Sequence, residues 1–144
     1  KSWVVEFDKE IKNKTANFGV VVFDLNQLKE TNDTYGHDVG DKLIVIAAKA
    51  ISDIFKRSPV FRIGGDEFVT ILKEKDLENR EELFASLDAV CENAIIEGND
   101  EIHISIARGF AMFELDKDVC FNDVFKRADN AMYENKRKNK KITG

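Results

Sequence analysis

The sequence predicts an α/β (α+β) domain in which a mostly antiparallel sheet is covered by helices. Three observations predict it. Short β-branched runs alternate along the chain with stretches of helical spacing, and a Gly-Gly turn joins two of those runs in mid-chain. The 144 residues contain one proline, Pro59, and no repeat or low-complexity linker, so one continuous domain over residues 1–144 is expected.

Each element has its own warrant. The opening segment around Phe7 and Ile11 has helical spacing, and Phe18 to Leu25 is a β-branched run suited to a buried strand. Asp24 then falls near the strand's carboxyl end. Polar groups crowd the stretch from Asp24 to Asp41, which reads as a loop and a helix start. From Asp38 to Phe55 the residues Leu43, Ile46, Ala47, Ala50, Ile51 and Ile54 recur every three or four positions, marking an amphipathic helix that ends before Pro59. Val60 to Ile63 and Phe68 to Leu72 read as strands joined through Gly64-Gly65-Asp66-Glu67, whose glycines permit the positive φ of a tight hairpin. Leu77, Leu83, Leu87, Val90, Cys91 and Ala94 imply one helix. Ile102, Ile104 and Ile106 alternate with His103, Ser105 and Ala107 as a strand does, and Asn122 to Lys138 closes the chain as a helix. This order suggests a ferredoxin-like core.

Composition narrows the function classes. With 43% hydrophobic residues and Phe 11, the chain can build a proper core. A formal charge of −5 weighs against a protein that coats nucleic acid with its whole surface, so no nucleic-acid partner is expected. Apolar stretches such as Val20 to Phe23 are far too short to span a bilayer, and no signal peptide opens the chain; a cytoplasmic domain without membrane insertion is expected. Cys91 and Cys120 lack CxxC spacing and read as small core residues.

The chemistry is concentrated in carboxylates. Asp24 ends one strand, while Asp66 and Glu67 sit at the tip between two others, so acids from separate strands could converge. A polar hairpin tip is the plain alternative. Two carboxylates about 4 Å apart repel by about 4 kcal/mol at an effective dielectric near 20, a cost that a divalent cation reverses, and all-oxygen ligands favour Mg²⁺. Lys136 and Lys140, four apart on a helix, can present two ammonium groups on one face; a solvated helix end is their plain reading.

Three ordered segments together carry a resemblance: Asp24 to Asp41 with its Gly36-His37 and Gly40-Asp41 pairs, Arg62-Ile63-Gly64-Gly65-Asp66-Glu67-Phe68, and Ala128-Asp129-Asn130-Ala131-Met132-Tyr133-Glu134-Asn135-Lys136. They resemble the GGDEF domain, the catalytic domain of diguanylate cyclases. The resemblance implies a nucleotidyl-cyclase-like sheet and the condensation of two GTP into cyclic di-GMP and pyrophosphate. It implies that Asp24, Asp66 and the Leu25 carbonyl hold Mg²⁺ (or Mn²⁺), with Glu67 at a second ion and Asp66 able to take a proton. Asn32 and Asp41 match guanine-reading positions, for which a turn residue and a first-turn carboxylate are the plain alternatives. Lys29, Lys136 and Lys140 match triphosphate-binding positions. His37 is expected to serve structure, and Arg62 to brace the hairpin or a dimer contact. A transient homodimer and an upstream sensory or regulatory domain are the implied partners, and the chain is expected to be excised from a larger protein.

The chain also departs from the family pattern. Asn139, Lys140 and Lys141 stand where Gly, Arg and Asn are usual, and an ammonium cannot supply the bidentate fork of a guanidinium. Leu28 and Asn26 replace a frequent Phe and Asp. The Arg-x-x-Asp product-inhibition pair is absent from Phe55-Lys56-Arg57-Ser58, so inhibition through that site is not expected. The alternative expectation is a weak or inactive module that binds GTP or a cyclic dinucleotide and regulates a partner.

Overall fold

The computed structural model describes residues 2–94, 96, 98 and 103–143, with side chains within residues 4–138. Helix α1 spans Ser2–Lys12 and is followed by strand β1, Gly19–Leu25, which is buried along its whole length. β1 lies between β3 (Glu67–Leu72) and β4 (Ile106–Met112), and β3 pairs outward with β2 (Val60–Arg62). All pairings are antiparallel and the order is β2-β3-β1-β4, which is the ferredoxin-like arrangement.

The central strand explains itself through its alternation. Val20 and Val22 point into one apolar layer with Phe7, Phe18, Phe121 and Met132, where α1 and the closing helix α6 (Phe121–Thr143) pack. Val21 and Phe23 point into the opposite layer, against α3 (His37–Ile54), α4 (Glu74–Glu78) and α5 (Arg80–Asn93), with Ile51, Phe55, Phe84 and Leu87. A strand buried on both faces needs no polar alternation. Each fully buried Phe or Val here stabilises the fold by about 1.5–3 kcal/mol relative to exposure.

Gly109 sets the distance between sheet and helix. A Cβ there would lie 2.1 Å from the Met132 nitrogen and 2.2 Å from the Ala128 carbonyl oxygen, so the α6 backbone rests directly on β4. That close seat brings the later turns of α6 over the carboxyl end of β1.

Several expectations are corrected. The polar stretch after β1 is largely a second helix, α2 (Leu28–Tyr35), entered through Gln27 at φ 65 and left through Gly36 at φ 94. The helix expected from Leu77 to Ala94 is two, α4 and α5. The last strand begins at Ile106 and runs on to Met112; Ile104 is buried but lies outside the strand, and Ile102 lies outside the described residues. Cys91 and Cys120 are half-buried, Cys91 at the edge of the core, where it packs against two of the apolar clusters. No helix among the described residues is long and apolar enough to cross a membrane.

Candidate functional site

The backbone makes the site before any side chain does. β1 and β3 pair so that Asp24 faces Glu67, and the Leu25 N–H donates to the Asp66 carbonyl at 3.0 Å, stitching the tip of the β2–β3 hairpin to the end of β1. On the other side, the Asn26 N–H donates to the Ser105 carbonyl and its side-chain amide to Ser105 Oγ, both at 2.8 Å. Asn26 therefore ties β1 to the approach of β4.

The hairpin tip departs from expectation in its mechanism. Gly64 and Gly65 do not use positive φ; the tip is closed by the Ile63 N–H donating to the Glu67 carbonyl at 3.0 Å. Arg62 braces it, Nε donating to the Gly64 carbonyl at 3.1 Å and Nη2 to that of Gly65 at 2.7 Å. Nothing within 4 Å meets a Cβ built at Gly65, so the chain's own packing does not demand glycine there. The bare backbone faces outward.

Asp24 is only 5% exposed, yet it is poorly satisfied. Its Oδ2 pairs with Lys136 Nζ at 3.1 Å, while Oδ1 is buried without a hydrogen-bond partner. Burial pushes the Asp24 carboxyl above its usual range; Lys136 opposes that rise and the neighbouring Asp66 adds to it. Glu67 is also pushed up, first by burial and then by Asp129, Asp24 and Asp66, against the relief given by Lys136. Asp129 itself is raised by burial, and its Oδ1 is a second buried oxygen without a partner. Tyr133, exposed on the same helix, is raised by the charges of Glu67 and Asp129. Asp24, Asp66, Glu67 and Asp129 thus carry their negative charge close together, opposed among the described residues by the Lys136 ammonium.

Asp129 was not anticipated from sequence. A signal was there, since residues 129, 133 and 136 are spaced i, i+4 and i+7 and share one helix face. The other expected residues fall into two groups. Asn32 lies on α2, not in a loop, and packs on Gly40 of α3 so closely that a Cβ at Gly40 would lie 1.7 Å from Asn32 Oδ1. Asp41 is exposed one turn into α3, and Lys29 is exposed at the start of α2. The Lys140 side chain lies outside the described residues.

The donor set suits a hard cation. It offers carboxylate oxygens and a strand-end carbonyl, and the orphaned Asp24 oxygen is an acceptor waiting for a positive partner. No three acidic, His or Cys side chains among the described residues converge into a ready-made cage. A bound ion would therefore take further oxygens from outside the chain, as Mg²⁺ does when it keeps water and phosphate ligands.

Comparison with known proteins shows the family to which the chain belongs. The sequence matches the family model described as "Diguanylate cyclase, GGDEF domain" over residues 3–141. It is 32% identical over 140 residues to the diguanylate cyclase DosC of Escherichia coli (strain K12), covering 92% of this chain and 30% of that protein. It is 33% identical over 138 residues to the diguanylate cyclase DgcZ of the same strain, covering 90% of this chain and 44% of the relative. The chain thus spans less than half the length of these curated relatives. The fold is similar to that of the active GGEEF domain of a diguanylate cyclase from Vibrio cholerae, with a TM-score of 0.82 at 23% identity over 95% of this chain and 86% of the other.

Proposed function

The chain belongs to the GGDEF, diguanylate cyclase family, and from that premise we propose that it condenses two GTP into one cyclic di-GMP with release of two pyrophosphates. The observation that carries the reading is Asp24: a buried carboxylate with one oxygen orphaned, beside Asp66 and facing Glu67, at the tip of a hairpin with bare glycine backbone.

Asp24, Asp66 and the Leu25 carbonyl would hold Mg²⁺ or Mn²⁺, with Glu67 turned to a second ion. Such ions, when bound, neutralise phosphate charge and lower the pKa of a coordinated hydroxyl. The residues of the chain do the rest. Asn32 and Asp41 offer an amide and a carboxylate to the mixed acceptor and donor edge of guanine. Lys29, Lys136 and Lys140 bind the triphosphate and orient its α-phosphorus. Asp66 takes the proton of the attacking 3′-hydroxyl; an O3′–P bond forms as the bond to the leaving pyrophosphate breaks. Because one domain binds one GTP and the product joins two, two copies face each other in a transient homodimer. Control by an adjoining regulatory domain and a cytoplasmic location complete the proposal.

The alternative, a module that binds GTP or cyclic dinucleotide without turnover, is favoured by Lys140 standing where the family usually has Arg. Incubation with GTP and Mg²⁺ or Mn²⁺, with chromatographic identification of products, separates the two. Cyclic di-GMP formation that depends on Asp66 supports the cyclase; GTP binding at the same residues without product supports the module. Asp41→Ala should narrow the preference for GTP over ATP by an amount worth about 1–3 kcal/mol, the cost of one lost hydrogen-bond partner.

A further inference from the structure

We propose that Lys136 makes cation binding conditional on nucleotide, by holding Asp24 in the empty site and transferring its ammonium to the polyphosphate when both ligands arrive. The inference rests on the metal and phosphate roles proposed above and goes beyond them, because it assigns Lys136 a partner in each state.

The starting point is the ion pair. Lys136 Nζ lies 3.1 Å from Asp24 Oδ2, and the two side chains differ in exposure, 28% for the lysine and 7% for the aspartate. The ammonium reaches in from the rim on a flexible stem, so it can withdraw into water at little cost, whereas the carboxylate cannot follow. A divalent cation that approaches Asp24 while Lys136 stays in place meets a like charge within a few ångströms. A cation that displaces Lys136 without nucleotide finds no three-acid cage among the described residues to complete its shell. Either route keeps affinity for the ion alone low.

A nucleoside triphosphate removes both obstacles together. Its oxygens complete the ion's shell and also accept the ammonium that leaves Asp24. Cation and nucleotide therefore tighten one another's binding, and the reciprocity is thermodynamically required. In the ligand-free protein the lysine does what the ion does in the loaded one, keeping a buried carboxylate from standing alone beside Asp66.

The test uses Mn²⁺ on the nucleotide-free protein, with bound ion measured from the loss of the free-ion electron paramagnetic resonance signal. Lys136→Met should bind Mn²⁺ about tenfold tighter than the parent, since a unit charge beside the ion has been removed. Lys136→Arg, which keeps the charge, should stay close to the parent. Lys136→Gln provides the same reading if the Met variant fails to fold. Equal or weaker Mn²⁺ binding by the neutral variants overturns the proposal. Adding Asp24→Asn to Lys136→Met should abolish the gain. If instead the gain persists without the Asp24 carboxylate, the ion sits elsewhere and the metal assignment itself fails. A gain that is absent while binding remains Asp24-dependent sinks only the role given to Lys136.

Discussion

Asp24 and Asp118 are both 5% exposed, and the protein treats them in opposite ways. Asp118 lies at the far end of the sheet, in the connection between β4 and α6. Arg127 donates to both of its oxygens, one of them Oδ2 from Nη2 at 2.9 Å, and the Glu114 N–H donates to Oδ2 at 2.8 Å. Arg127 also donates to the Met112 carbonyl at 2.6 Å, so one guanidinium fastens the whole turn. Burial pushes the Asp118 carboxyl up, but the hydrogen bonds from Arg127 and Glu114 outweigh it and hold the group below its usual range. Asp24 has one ammonium, one orphaned oxygen and an acidic neighbour, and its carboxyl is pushed up. A buried carboxylate that is fully satisfied is doing structural work; one left short of donors is set to receive something the chain does not contain.

The sharpest way to break this comparison is to neutralise each acid. Asp24→Asn or Asp66→Asn should lower GTP turnover by on the order of a hundred to a thousand fold, followed by chromatography of the product. In the same proteins the melting temperature should not fall for Asp24→Asn, because removing a charge whose ionisation burial opposes removes a destabilising term. A large drop in melting temperature would mean that Asp24 is a structural acid after all.

Asp118→Ala should do the reverse, costing about 3 kcal/mol in chemical denaturation because Arg127 and the Glu114 N–H lose their shared carboxylate acceptor. Gly40→Ala probes the nucleotide side at smaller cost: the added methyl must push Asn32 aside, and the KM for GTP should rise about tenfold, as expected for one lost hydrogen bond. A KM unchanged by that substitution would detach Asn32 from guanine.

The smallest effect is in pH. Because the Asp118 carboxyl is held below the ordinary aspartate value of 3.8, its contribution to stability is present above that pH and is lost as pH falls through the lower folded value. The gap in denaturation midpoint between the parent and Asp118→Asn should therefore close in acid. For Asp24 the sign is opposite, since its raised carboxyl makes ionisation unfavourable to the folded state as pH rises past 3.8.

Much of the fold was legible because periodicity reports burial. β1 reads as an unbroken apolar run because helices cover both of its faces, and α3 shows its buried Leu43, Ala47, Ala50 and Ile51 at helical spacing. α2 was not legible, since Thr31 is its one buried residue and polar segments without an apolar stripe look like loops. The hairpin was placed correctly, but its glycines were credited with a positive φ that the Arg62 brace makes unnecessary. In the candidate site, Asp24, Asp66 and Glu67 stood out because a strand-end acid and two hairpin acids could converge from separate strands, and because the segments that hold them resemble the GGDEF family. The Lys136 partnership could not, because nothing in local sequence says which carboxylate, in a strand far upstream, a helical lysine will meet.

That separation has a consequence for biosynthesis. The carboxylates of β1 and of the hairpin leave the ribosome long before Lys136 has been made, since it lies more than a hundred residues after Asp24. Closing the sheet early would bury Asp24 with no cation beside it, at a cost of several kcal/mol. Burial of the first strand should therefore wait for the last helix, and chains truncated before α6 should remain sensitive to proteolysis at β1.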